Sequence, residues 1–357
     1  MDSDVSAHIQ RTLQDAETIH DVTLKHILSL QNMQVGRLAL DKYVVTPEDF
    51  QKWYDKENLG DVEYDSGLKR VIIIPGSDLF WSARDNFVVN FSILASKLRK
   101  ATGSERYKWL ENAAYDLSGP WVDDRKQPAH VIARLDDGYP IVVLEIGFRE
   151  DTEKLFARTR KWFEGSEGIT CSVLILDLQA HHSKNEAPCN ISGNDQTWGL
   201  PNGELLDFQD AFSHWQIFRH VRDWYTDNGC QFYESATAAL YFCQKDLPPT
   251  RLWGCEVTVD KIRDEPSSEN VTFTPQQLLG DAALEGKGIS ADDCSEITGD
   301  LKRLASELQE GLRQQQEEAV RLKIALRALA LREEQASRTG VKLTEAQRLL
   351  GPTIRPG

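Results

Sequence analysis

One glutamate constrains this chain more than any other residue. The run Pro140-Ile141-Val142-Val143-Leu144-Glu145-Ile146-Gly147-Phe148 is apolar almost from end to end, and Glu145 stands inside it. A short, β-branched apolar run of this kind reads as a buried strand. Burying an unpaired carboxylate is costly, so Glu145 calls for a metal, a cation or a hydrogen-bond network beside it. The plain alternative is a strand with one wet face on which Glu145 meets solvent.

The flanking segments give that strand its setting. His130 to Leu135 reads as a second strand, and Asp136-Asp137-Gly138 is a hairpin turn signal. Glu150 to Glu164 reads as a helix and Ser172 to Leu178 as a third strand. Hairpin, helix and strand in this order imply a mixed sheet with a helical crossover, hence an α/β fold. On the helix, Leu155, Phe156, Thr159, Trp162 and Phe163 fall on a face to be buried. Lys154, Arg158 and Lys161 recur at i, i+4 and i+7 as a basic stripe. Such a stripe binds phosphate or is simply a solvated cationic face.

Elsewhere the pattern is coarser. His8 to Leu40 has helical periodicity, and Thr46-Pro47-Glu48 carries the cap, proline and acid of a helix start. Arg70 to Ile74 reads as a strand stopped by Pro75-Gly76, and Asn86 to Lys100 as an amphipathic helix. The stretch 181–203 is a polar loop by composition. Trp253–Val259 reads as a strand, and a short helix with Leu278 and Leu279 is expected after Pro275. The chain then divides into an N-terminal helical segment (1–58), a core (59–280), a linker (281–295), a long helix (296–340) and a tail (341–357). On the long helix, Ile297, Leu301, Leu304 and Leu308 keep a 4-3-4 spacing, as do Ala319, Leu322, Leu326 and Leu329. That spacing predicts a coiled-coil arm, interrupted at Gly311 and Gln315, for self-association or for a partner helix.

Composition narrows the function classes. Over 357 residues, 41 Lys and Arg against 56 Asp and Glu give a net charge of −15, which opposes charge-driven nucleic-acid binding outside a local basic groove. No apolar run reaches membrane-spanning length, so no membrane partner is expected. The acidic start Met1-Asp2-Ser3-Asp4 has no secretory pattern, and the six scattered cysteines fit reduced thiols in a cytoplasmic or nuclear protein. The motifs of P-loop NTPases, dinucleotide enzymes, serine hydrolases and zincins are missing. The pair His181-His182 reads as solvated, and His214 and His220 as packing or surface residues.

The runs Lys126-Gln127-Pro128-Ala129-His130-Val131-Ile132-Ala133-Arg134-Leu135 and Pro140 to Phe148, with the helix and strand that follow, resemble the PD-(D/E)XK, restriction-endonuclease-like superfamily, and more narrowly a fungal branch of it. The resemblance covers roughly residues 60 to 280. It implies a restriction-endonuclease-like mixed sheet flanked by helices. It also implies an Asp and a Glu that bind Mg²⁺, with a Lys two residues after the Glu that activates water. Glu145 matches the second acid, whereas Ala129 and Gly147 stand where the first acid and the lysine belong. An active phosphodiesterase would therefore need Asp124 (or Asp123, or His130) as a relocated ligand beside Glu145. Lys161 (or Lys154) would be the relocated lysine, and Lys154 and Arg158 would hold nucleic acid. The reading preferred here is a degraded relative kept as a nucleic-acid or protein interaction module.

Overall fold

The computed structural model describes residues 9–31, 36–57, 59–74, 76–102, 107–111, 113–134, 138–181, 198, 200, 215–227, 235–264, 270–271, 273, 277–279 and 299–339. The class is mixed α/β. Two compact units divide the chain: Met1–Ala180 with Ala236–Gly311, and His181–Ser235 with Leu312–Gly357.

The first unit opens with a broken helical segment. Instead of one helix over 8–40, there is a 3₁₀ turn at Ile19–Asp21, helix α1 at Leu24–Gln31 and strand β1 at Leu38–Ala39. The break follows from local bonding: Thr18 and Asp21 cap each other, and Thr23 N–H donates to His26 Nδ1 at 3.1 Å. These polar side chains offer the backbone an alternative to continuing the helix. Helix α2 (Pro47–Glu57) starts where its signals place it, with Asp49 N–H donating to Thr46 Oγ1 at 3.1 Å. Strands β2 (Val62–Asp65) and β3 (Arg70–Ile73) follow, then a long helix α3 (Asp78–Thr102), which begins earlier than its amphipathic stretch predicts. Next come β4 (Tyr107–Glu111), β5 (Tyr115–Asp116), β6 (Arg125–Lys126), β7 (His130–Arg134) and β8 (Pro140–Phe148). Helix α4 (Thr152–Gly165) and β9 (Ser172–His181) complete the central stretch.

Two sheets result. The smaller has the order β1-β3-β2-β6-β5, all antiparallel. Its apolar face closes over Leu13, Ile27, Leu30, Phe50, Trp53 and Tyr64. The larger sheet adds β10 (Ser235–Gln244), β11 (Thr250–Val257) and β12 (Ile262–Asp264) in the order β12-β11-β10-β9-β8-β7-β4. β7 and β8 pair antiparallel, whereas β8 and β9 pair parallel with Glu145 opposite Ile175, so α4 is the crossover. Every residue of β8 is buried, and Leu155, Trp162 and Phe163 of α4 pack with Val143, Val173 and Ile175. Strand β10 carries no expectation from the sequence, because Ser235-Ala236-Thr237-Ala238-Ala239 lacks the large β-branched pattern of β8. Its alternating burial marks it as a strand nonetheless. The turn residues Asp136 and Asp137, the linker 281–295 and the tail 341–357 lie outside the described residues.

The long helix α6 (Leu301–Thr339) runs unbroken through Gly311, and α5 (Trp215–Asp227) precedes it in the chain. In the first unit, Leu301, Leu304 and Leu308 are buried within the chain itself. A Cβ on Gly311 would stand 2.8 Å from Ser82 Oγ and 3.2 Å from Leu79 Cα, so glycine lets α6 approach α3 closely. In the second unit, Ile217, Phe218 and Val221 of α5 share a small core with Val320, Ile324, Ala328 and Leu331 of α6. The side chains of Leu322, Leu326 and Leu329 lie outside the described residues. Among the described residues no helix is long and apolar enough to cross a membrane.

Candidate functional site

Glu145 is 1% exposed, so the wet-face alternative is excluded, and the burial demands compensation. Its nearest cation comes from the N-terminal segment. Arg37, just ahead of β1, donates through Nη2 to Glu145 Oε2 at 3.0 Å. Trp162 Nε1–H donates to Glu145 Oε1 at 2.7 Å, and Arg158 Nη2 lies 3.6 Å from Oε2. Arg37 also reaches Glu63 of β2 (2.5 Å) and Glu150 (3.5 Å). Lys126 of β6 pairs with Glu63 at 3.0 Å, and Arg158 donates to both oxygens of Glu150 at 3.0 and 2.8 Å. Glu63, Glu145 and Glu150 thus face Arg37, Lys126 and Arg158, and the formal charges cancel. Burial works against the Arg37 charge, but Glu63, Glu145 and Glu150 outweigh it and raise the guanidinium above its ordinary range. Burial likewise opposes ionisation of Glu63, and Arg37 with Lys126 overcomes it, holding this carboxyl far below its usual value.

Asp124 and Lys161 form a separate cluster. Asp124 is 0% exposed. Lys161 Nζ donates to its Oδ2 at 2.7 Å, and Ser66 donates to Oδ1 through its N–H (2.7 Å) and its hydroxyl (2.6 Å). Lys161 also sits 3.4 Å from Asp65 and 4.5 Å from the Trp121 ring centroid. The expected acid and lysine therefore hold each other, and neither contacts Glu145. Asp123 is exposed, at a left-handed φ of 73°. His130 is taken on both nitrogens: Trp109 Nε1–H donates to Nδ1 at 3.2 Å, and Nε2–H donates to the Arg84 carbonyl at 2.8 Å.

The basic stripe is corrected by the same contacts. Arg158 and Lys161 bond to carboxylates of this chain, and Lys154 alone of the three is exposed. The helix turns two of its cations inward because Glu145 and Asp124 are buried beneath it and Glu150 is half-buried beside them.

Gly147 is corrected in a different sense. A Cβ there would stand 2.4 Å from both Cδ atoms of Leu155, a fully buried side chain. The position is filled by its neighbour and has no room for a lysine. Ala129 donates its N–H to the Leu144 carbonyl at 3.0 Å and is buried. The donor set thus does not fit Mg²⁺: Glu145 is enclosed by guanidinium and indole donors, and Asp124 is bound elsewhere. Among the described residues no three His, Cys, Asp or Glu side chains are grouped to hold a metal ion.

Arg37 and Glu63 carry no site reading from the sequence. Arg37 lies 108 residues from Glu145, so no local spacing ties the two. Glu63 left one signal, a carboxylate between Val62 and Tyr64 in a strand buried on both sides.

No family model matches the chain, and no curated protein matches it significantly.

Proposed function

We propose that the chain is a catalytically silent, restriction-endonuclease-like protein of the PD-(D/E)XK type that serves as a protein-interaction module. The observation carrying this reading is the enclosure of Glu145: both its oxygens accept bonds from Arg37 and Trp162 inside a charge-neutral network. A carboxylate held by cations is not available to recruit another cation. The fold half is supported by the hairpin, Glu145, helix and strand order, with Glu145 mid-strand beside Ile175. Protein is favoured over nucleic acid because Arg158 and Lys161 are neutralised internally and the net charge is −15.

The test is to incubate the full chain with single- and double-stranded DNA and with RNA in Mg²⁺ or Mn²⁺. No cleavage and no salt-dependent binding by fluorescence anisotropy are expected. Either metal should leave the thermal midpoint unchanged, whereas saturation a hundredfold above Kd would add about 2.7 kcal/mol. Metal-dependent cleavage lost in both Glu145→Gln and Lys161→Met would overturn the reading in favour of an active phosphodiesterase with a relocated acid and lysine.

A further inference from the structure

Around the turn joining β2 to β3, three apolar side chains stand in water. Val44 is 82% exposed, Leu68 61% and Val122 59%. The backbone gathers them from separate segments. Val45 N–H donates to the Lys69 carbonyl at 2.8 Å, and Ser66 Oγ donates to the Val122 carbonyl at 3.1 Å. A single exposed valine needs no explanation, but a group of large apolar side chains at one turn marks an interaction surface.

The rim of this surface is acidic. The Tyr64 hydroxyl, which donates to the Val45 carbonyl at 2.7 Å, is pushed up to about 12 by burial and by Asp123, Asp124, Glu48 and Asp65. Geometry sets them at this turn: Asp65 Oδ1 accepts from the Leu68 N–H at 3.0 Å, Asp124 Oδ1 from the Ser66 N–H at 2.7 Å, Asp123 follows Val122 in the chain, and Glu48 stands in the first turn of α2 just after Val45. Lys161 answers Asp124 and Asp65, whereas Glu48 and Asp123 are exposed without a paired cation among the described residues. Lys69, on the turn itself, sets one positive charge against them.

We propose that this surface docks a basic amphipathic segment of a partner protein. Its apolar side chains would cover Val44, Leu68 and Val122, and its lysines or arginines would face Glu48 and Asp123. A phosphate-bearing partner, whether nucleic acid or membrane surface, is repelled by the same carboxylates. The proposal deepens the interaction-module reading by naming the surface and the chemistry of what it binds.

Display of short random peptides tests it, selecting on the full chain and counter-selecting on Leu68→Asp. Sequences interleaving apolar residues with Lys or Arg should be enriched. Their affinity should fall about tenfold or more in Leu68→Asp and Val122→Asp, as expected for a buried apolar anchor. Glu48→Gln with Asp123→Asn should weaken binding and flatten its salt dependence. Leu247→Asp, at an apolar site 59% exposed elsewhere on the chain, should leave binding unchanged. The four surface variants should keep the parent's circular dichroism spectrum. Enrichment of peptides lacking basic residues, binding that survives Leu68→Asp, or no enrichment at all would overturn the proposal. So would self-association abolished by Leu68→Asp, which would assign the surface to a second copy. The cleavage assay is independent of this turn, so failure of the silent reading and failure of the docking surface are told apart.

Discussion

Trp109 and the Arg84 carbonyl between them fix the protonation state of His130. An indole only donates and a carbonyl only accepts, so the ring is neutral with its proton on Nε2. Burial pushes its pKa down to about 4 from the ordinary 6.5. Between those two values the unfolded chain binds the extra proton and the folded chain does not. Stability from this group is therefore complete above about pH 6.5 and falls on acidification, by about 3 kcal/mol at pH 4. Denaturant titrations from neutral pH to about pH 4.5 should show the decline, and His130→Gln should flatten it. An equal slope in the variant would place the acid sensitivity elsewhere. Arg37 has the opposite character, since its charge is required. Arg37→Met leaves Glu63, Glu145 and Glu150 facing two cations and should cost about 3–5 kcal/mol. Adding Glu145→Gln should recover part of that loss. Strict additivity in this double-mutant cycle would deny the coupling.

Helix α4 and strand β8 must be considered together. A residue with a Cβ at 147 has to displace Leu155, so Gly147→Ala should destabilise by about 1–3 kcal/mol. Paired with Leu155→Ala, it should cost clearly less than the sum of the singles in thermal unfolding. Ala129→Asp with Gly147→Lys, which supplies both missing groups on paper, should destabilise the chain and give no metal-dependent cleavage. What was legible in the sequence follows from the same comparison. The cap at Thr46, the buried run of β8 and the crossover through α4 are local patterns, and local patterns survive reading in one dimension. Gly147 was legible only as a missing lysine, because the side chain that forbids one lies eight positions along on the next element. The inward turn of Arg158 and Lys161 was illegible for a related reason. Helical spacing shows that two cations share a face, but buried carboxylates from β6, β8 and their flanks decide whether that face is wet.

For the whole chain, the acidic excess and the neutral network describe different places. The −15 belongs outside the network, where charge governs encounters, while the network's own six groups sum to zero. The start of α6 also serves the whole, because Leu301, Leu304 and Leu308 are buried by the chain that carries them. Leu304→Ala should therefore lower stability by about 2–5 kcal/mol, with a thermal midpoint that does not change with protein concentration. A midpoint rising with concentration would reassign the leucines to an interface. The closed network has a further consequence, for how such a sequence drifts. Any single loss among Arg37, Glu63 and Glu145 strands a buried charge, whereas losing a cation and a carboxylate together leaves the sum at zero. Lineages descended from this chain should therefore change these positions in compensating pairs, and a descendant without a cation at 37 should also have surrendered an acid at 63 or 145.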